Sequence, residues 1–133
     1  MAESEKKKIL IIEDEADLNR NLAYLLQKFG FEVLSALTGE DGLEMARSLK
    51  PSAIMLDLML PGIQGEEVCK AIREDEDPTV QKIPIMIVSA KKSDVDRIVG
   101  KVIGANAYVT KPYDFRQLLT EIKKLASPSP AEA

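Results

Sequence analysis

Five short apolar runs alternate along the chain with segments whose apolar residues repeat at helical spacing. The runs predict β-strands at residues 8–12, 31–36, 53–56, 83–88 and 107–110. The helical spacing predicts α-helices at residues 17–29, 39–48, 65–74, 93–103 and 114–126. Alternation of strands and helices with short links favours a parallel sheet with right-handed crossovers. The chain is therefore predicted to form one α/β domain.

The composition of the runs predicts where each strand lies in the sheet. The first, third and fourth runs are almost wholly apolar, as central strands buried on both faces must be. The second run is broken by Glu32 and Ser35, and the fifth is short, which suits edge strands. These features predict a doubly wound five-stranded sheet in the order 2-1-3-4-5, with helices on both faces. In this order the crevice at the carboxyl ends of strands one and three is the expected binding site.

Local signals set the expected boundaries. Thr38 is a predicted N-cap, with Glu40 and Asp41 in the first turn of the helix that follows. The acidic stretch 74–78 is interpreted as the exposed exit of the third helix. Residues 1–7 are predicted to be a lead-in, 8–126 the domain, and 127–133 a Ser/Pro tail or linker stub.

Composition excludes several classes of function. A net charge of −4 gives no broad attraction to nucleic acid, and no apolar stretch approaches the length of a membrane span. The amino terminus lacks a secretory leader, so a cytoplasmic location is expected. Cys69 is the single cysteine and is interpreted as a small residue on a helix. The chain has no histidine, which excludes Ser-His-acid triads, His-ligated metals and a phosphohistidine formed on this chain.

Polar side chains follow four of the predicted strands. Glu13 and Asp14 follow strand one, Asp57 follows strand three, Ser89 follows strand four, and Lys111 follows strand five. Neighbouring strands lie about 4.8 Å apart, so Asp14 and Asp57 should face each other with Glu13 beside them. A single acid after a strand usually belongs to a turn. Such residues at four strand ends indicate a site.

The chemistry of this residue set is that of phosphoryl acceptance. Three uncompensated carboxylates raise one another's pKa values, and a hard divalent cation such as Mg²⁺ relieves the repulsion. Ser89 adds a hydroxyl and Lys111 a mobile positive charge, both of which favour an anion. A carboxylate nucleophile, a metal and a lysine are the parts needed to accept a phosphoryl group.

Five motifs carry a resemblance to a known family. They are IIEDE at 11–15, DLMLPG at 57–62, VSA at 88–90, GA at 104–105 and YVTKP at 108–112. Over residues 6–126 the chain resembles the receiver domain of bacterial two-component response regulators, which is flavodoxin-like and includes the chemotaxis regulators. The resemblance implies that Asp57 is the phosphoacceptor and that Mg²⁺ is held by Glu13, Asp14, Asp57 and the carbonyl of Met59. It also implies that Lys111 contacts the phosphoryl group and that a cis bond precedes Pro112.

The resemblance further implies a switch and a set of partners. Ser89 would follow the phosphoryl oxygen and Tyr108 would change rotamer, remodelling the face made by the helix at 93–103, strand five and the last helix. Because the chain has no histidine, the donor would be a histidine kinase, a histidine phosphotransfer protein or a small phosphodonor. The domain would signal to a downstream protein or output domain, rather than act as an enzyme beyond its own phosphotransfer and autodephosphorylation.

The same residues bear on other functions of this fold. A phosphatase of the haloacid dehalogenase type would need a second acid two residues after Asp57, where this chain has Met59. A flavodoxin-like flavin carrier would need a phosphate-binding loop after strand one, where the acids at 13–15 would repel a phosphate. A receiver that is never phosphorylated stays open.

The output is also open. The motifs look like receivers that carry winged-helix DNA-binding domains and dimerise through charged residues. Here Val102, Ala107 and Glu121 depart from those charges, which argues against that dimer. A stand-alone receiver and one cut from a longer chain fit equally, and this chain itself is not expected to bind nucleic acid. Met59 and Lys91 lie at positions where relatives can hold the hydrolytic water, which predicts slow loss of the phosphoryl group.

Overall fold

The computed structural model describes residues 6–90 and 104–127. The helix predicted at 93–103, together with Lys91 and Val102, lies outside these residues. The strands are β1 (Lys8–Ile12), β2 (Glu32–Ala36), β3 (Ala53–Leu56), β4 (Ile85–Ser89) and β5 (Ala107–Thr110). The helices are α1 (Ala16–Lys28), α2 (Gly39–Leu49), α3 (Gly65–Arg73), the short α4 (Pro78–Gln81) and α5 (Phe115–Ala126).

The five strands form one parallel sheet in the order β2-β1-β3-β4-β5, which confirms the predicted topology. The register aligns the carboxyl ends of the central strands. Ile12, the last residue of β1, pairs with Ala36 of β2 and with Leu56 of β3. The residues that follow β1 and β3 therefore lie side by side at the same edge of the sheet.

Strand alternation sends successive side chains into two separate cores. Leu10 and Ile12 point to the face covered by α2 and α3, where Cys69 is fully buried. Ile9 and Ile11 point to the face covered by α1 and α5. Burial raises the pKa of the Cys69 thiol to about 11, so it packs as a neutral core residue.

Most predicted boundaries lie within one residue of the observed ones, but the fourth strand and the acidic stretch need larger corrections. The fourth strand runs from Ile85 to Ser89, which pairs with Thr110 of β5. It begins after Pro84, because proline has no backbone N–H and offers only its carbonyl, which accepts from the Ile54 amide at 2.9 Å. The acidic stretch at 74–78 does not only end α3, because it also begins another helix. Asp77 caps a short helix that the sequence analysis missed, since its carboxylate accepts from the Thr79 amide at 2.9 Å.

The same acidic stretch is tied back to α2. Asp75 pairs with Arg47 at 2.7 Å and Asp77 with Lys50 at 3.2 Å. The predicted N-cap Thr38 is confirmed, since its hydroxyl accepts from the Asp41 amide at 3.1 Å. These contacts fix the ends of helices on one face of the sheet.

Arg73, at the end of α3, joins three separate segments. Its guanidinium donates to the carbonyls of Gln81, Ile83 and Gly104 at 2.8 to 2.9 Å. It also donates to the Asn106 side chain at 2.7 Å. Burial lowers the pKa of Arg73, but a guanidinium stays charged in proteins. The entry into β4 and the entry into β5 are therefore held by one side chain.

Candidate functional site

The backbone ladder continues one residue beyond β1 and β3. The amide of Asp57 donates to the Ile12 carbonyl at 3.1 Å, and the amide of Glu13 donates to the Ala36 carbonyl at 3.1 Å. Glu13 and Asp57 therefore sit at the same edge of the sheet, on adjacent strands. This edge is the crevice that the strand order predicted.

Three carboxylates meet at this edge. Oxygen atoms of Glu13, Asp14 and Asp57 all lie within 4.8 Å of one another. Glu13 and Asp57 are buried, with 5% and 6% of their surface exposed, whereas Asp14 is exposed. The structure thus brings together the three acids that the sequence analysis selected. An all-oxygen donor set with one open side suits a hard divalent cation.

Lys111 lies between the two buried acids. Its ammonium donates to Oε1 of Glu13 at 3.0 Å and to Oδ2 of Asp57 at 3.0 Å. The lysine follows β5, and its own amide donates to the Ser89 carbonyl at 2.8 Å, which extends the β4–β5 ladder to the site. Three carboxylates against this ammonium leave the cluster with a net negative charge.

The electrostatics of the site follow from burial and pairing. Burial raises the pKa of Glu13, and the Asp57 charge adds to the rise, while hydrogen bonds from the Glu15 amide and from Lys111 partly offset it. Burial lowers the pKa of Lys111, but its bonds to Glu13 and Asp57 outweigh this, and the net shift is upward. Lys111 is therefore held as a cation.

The second oxygen of Asp57 is held by the backbone. Oδ1 accepts from the Met59 amide at 2.8 Å, so the carboxylate plane is set from both sides. The chain turns closely behind it, and a Cβ at Gly65 would lie 2.5 Å from the Asp57 carbonyl oxygen and 2.6 Å from the Leu58 Cα. Real Cβ contacts are never that short, so α3 can begin here only with glycine.

The side chain of Met59 points away from the core. It is 60% exposed and lines an open groove with Asp14, Leu58, Leu60, Pro61 and Gln64. The groove adjoins the acids because Asp14 belongs to both. A molecule approaching Asp57 along this groove would meet a mostly apolar wall.

The remaining predicted site residues lie on the neighbouring strands. Ser89 ends β4 and is fully buried, and it pairs with Thr110 of β5. Tyr108 lies on β5, partly buried against the core on the α2–α3 face. The Lys111–Pro112 peptide bond is cis.

Two residues of the site were missed by the sequence analysis. Tyr113 lines the crevice beside Glu13, Asp57 and Lys111, and burial raises the pKa of its phenol. Asn19 is buried in the first turn of α1 and donates to the Glu13 carbonyl at 3.1 Å. Asn19 did carry a signal, since it stands on the same helical stripe as the buried Leu22 and Leu26.

Comparison with known proteins agrees with this geometry. Residues 9–123 match the family model of the response regulator receiver domain. The chain is 37% identical over 119 residues to the alkaline phosphatase synthesis transcriptional regulatory protein PhoP of Bacillus subtilis (strain 168). That alignment covers 90% of this chain and 48% of the regulator, so the chain spans about half of that protein's length.

Two solved structures of bacterial signalling proteins share the fold of this chain. The chemotaxis protein CheY4 of Vibrio cholerae matches with a TM-score of 0.84 and 26% identity, covering 91% of this chain and 99% of that one. The BeF3-activated N-terminal receiver domain of Klebsiella pneumoniae RstA matches with a TM-score of 0.82 and 26% identity. It covers 92% of this chain and 100% of that one.

Proposed function

Because this chain belongs to the response regulator receiver domain family, we propose that Asp57 accepts a phosphoryl group in a Mg²⁺-dependent reaction. The observation that carries the proposal is the position of its carboxylate. Asp57 lies within 4.8 Å of Glu13 and Asp14 and 3.0 Å from the Lys111 ammonium. A carboxylate nucleophile thus stands beside a metal-binding acid pair and a cation.

Mg²⁺ is the cofactor in this proposal because the donors are hard. Glu13, Asp14, Asp57 and the carbonyl of Met59 would hold the ion, and waters would complete its shell. When bound, the ion neutralises charge on the acids and on an incoming phosphoryl group. The net negative charge of the cluster supports this assignment, since an anionic donor would otherwise be repelled.

The proposed donor is the phosphohistidine of a histidine kinase or of a histidine phosphotransfer protein. A carboxylate oxygen of Asp57 attacks the phosphorus, and an O–P bond forms as the P–N bond breaks. The electron pair of that bond stays on the nitrogen. A donor ring protonated on its other nitrogen leaves as neutral imidazole, so no base on this chain is required.

Lys111 is proposed to change partners during this transfer. Its ammonium lies within 3.0 Å of the acceptor carboxylate before phosphorylation. Once the negative phosphoryl oxygens arrive, they offer a stronger anionic partner than a singly charged carboxylate. The Met59 amide continues to orient the carboxylate through its other oxygen, 2.8 Å away.

The signalling output is proposed to pass through Ser89 and Tyr108. Ser89 ends the strand beside Asp57, and Tyr108 lies on the next strand of the sheet. A hydroxyl drawn toward the phosphoryl group would favour a new position of Tyr108. The face made by residues 93–103, β5 and α5 would then bind a downstream protein or output domain.

The domain signals and does not process a separate substrate. Return to the resting state would use autodephosphorylation, in which water attacks phosphorus, inorganic phosphate leaves and Asp57 is regenerated. We propose 8–126 as the receiver unit, with 1–7 and 127–133 as flanking segments, and a cytoplasmic site of action. Among residues 6–90 and 104–127, no helix is long and apolar enough to cross a bilayer.

Phosphate incorporation from labelled acetyl phosphate tests the acceptor assignment. Asp57→Asn should remove labelling, because an amide is not a competent nucleophile. Omission of Mg²⁺, or Asp14→Ala, should suppress labelling of the otherwise intact protein. Asp17→Asn, an exposed acid three residues from Asp14, is the matched control and should label normally. Full labelling of the Asp57 variant would show that another residue is the acceptor.

A further inference from the structure

The buried side chain of Asn19 joins the ends of two strands. It is 2% exposed, and its side-chain nitrogen Nδ2 donates to the backbone carbonyl of Glu13 at 3.1 Å and to the backbone carbonyl of Ala36 at 3.1 Å. The strand pairing of β1 with β2 ends at Ile12 and Ala36. The asparagine therefore extends the link between these strands past their last regular pair.

This arrangement restrains Glu13 through its backbone. The amide of Glu13 donates to the Ala36 carbonyl at 3.1 Å, while the carbonyl of Glu13 accepts from Asn19. The backbone is held here as well, since the main-chain N–H of Asn19 donates to the Glu15 carbonyl at 2.9 Å, and the main-chain N–H of Glu15 donates to the Glu13 carboxylate at 3.0 Å. The acidic segment between β1 and α1 is thus held at both ends.

Core packing alone does not account for an amide at this position. Its Oδ1 is buried without a hydrogen-bond partner among the described residues, which is a cost that an apolar side chain would avoid. Rotation of the amide would set that oxygen against two carbonyls. Leu22 and Leu26 continue the same buried stripe, so a leucine would suit the packing. What a leucine lacks is the pair of donated hydrogen bonds.

We propose that Asn19 is a positioning residue for the acidic cluster, acting through the backbone of Glu13 to preset the metal-binding geometry. The proposal rests on the function proposed above, since it concerns the same site. Asn19 itself is not proposed to contact the metal or the phosphoryl group. Its contribution is to remove freedom from the residues that do, which lowers the ordering cost of binding an ion.

Calorimetric titration of the metal-free protein with Mg²⁺ tests this role. Asn19→Leu keeps the branched shape of the side chain, with somewhat more volume, and removes both donors. We expect about tenfold weaker Mg²⁺ binding, as for loss of other groups that orient metal ligands. Asn19→Ala removes the amide without adding bulk and should show the same loss. Leu26→Ala is the matched control, because it removes a buried side chain about two turns along the same helix and should cost stability while leaving Mg²⁺ affinity unchanged.

Amide hydrogen exchange without metal gives a second and independent readout. Asn19→Leu should speed exchange at Glu13 and Glu15, and leave the amides of β4 protected. Equal Mg²⁺ affinity and equal exchange in the variant would overturn the proposal. Absence of Mg²⁺ binding in the unmodified protein would instead count against the proposed cofactor, and the exchange measurement would still decide the role of Asn19.

Discussion

The ammonium of Lys111 lies 3.0 Å from Oδ2 of Asp57, although 54 residues separate them along the chain. The contact forms because β3 and β5 both run parallel to β4, and their carboxyl ends reach the same edge. The lysine also lies 3.0 Å from Glu13. Its charge therefore offsets part of the repulsion between the two buried acids.

The burial of Glu13 predicts a specific pH dependence of stability. Its folded pKa is raised above the ordinary value of 4.5, so the folded protein binds this proton more tightly than the unfolded chain. As pH rises from about 4.5 through the folded pKa, the free energy of unfolding should fall. Urea unfolding of metal-free protein between pH 4 and 7 should show this fall, and Glu13→Gln should make the profile flatter.

The comparison of these two profiles isolates Glu13 from other acids. Asp75 and Asp77 have lowered pKa values, and that of Asp77 is shifted to about 2. They give the opposite effect at lower pH, where the free energy of unfolding rises with pH. Both residues are present in wild type and variant, so their effect cancels in the difference. Parallel profiles would mean that Glu13 does not titrate as its burial predicts.

The close approach behind Asp57 predicts that Gly65 cannot be replaced. In Gly65→Ala the added methyl would collide with the Asp57 carbonyl oxygen, so the chain must shift, at a cost of about 1–3 kcal/mol in unfolding free energy. The shift would also disturb Asp57, the proposed acceptor, and labelling by acetyl phosphate should slow. Gly30→Ala is the control. Its φ of +93° adds strain of about 1 kcal/mol without a close contact, and labelling should persist. Normal labelling and stability in Gly65→Ala would contradict the prediction.

The proposed switch predicts that Ser89→Ala separates phosphorylation from its response. Labelling of Asp57 should persist, while chemical-shift changes in β5 and at Phe115 on adding beryllium fluoride should shrink, because the sensing hydroxyl is gone. Ser35→Ala, an exposed serine on β2, should leave the response intact. A full response in Ser89→Ala would remove this residue from the switch.

The lifetime of the phosphorylated state is expected to depend on Met59. A thioether is a weak hydrogen-bond partner and cannot orient an attacking water. Met59→Asn should therefore speed radiolabel decay, by a factor of less than about tenfold, since water orientation is a small part of the barrier. The 60% exposure of Met59 places its side chain in the groove beside Asp14, where a polar group could reach water. Met59→Leu should decay at the wild-type rate. Equal or slower decay in Met59→Asn would refute the argument.

The sequence by itself determined the five strands, their order in the sheet and the acids at its edge. Runs of apolar residues are local signals, and a doubly wound parallel sheet leaves few ways to arrange five of them. Local signals also placed the N-cap at Thr38. They were weaker at the start of β4 and in the acidic stretch, where a proline and a side-chain cap override the apolar pattern.

Only the tertiary structure decided which atoms of these polar residues meet. Lys111 meets Glu13 across 98 residues, and no local pattern encodes that distance. The helical stripe that Asn19 shares with Leu22 and Leu26 indicates burial, but only packing places its side-chain amide against the carbonyls of two strand ends. Propensities act over a few neighbours, whereas the position of a buried charge or amide depends on every element packed around it. The strand register brings these atoms within hydrogen-bonding distance, and that register exists only once the sheet has formed.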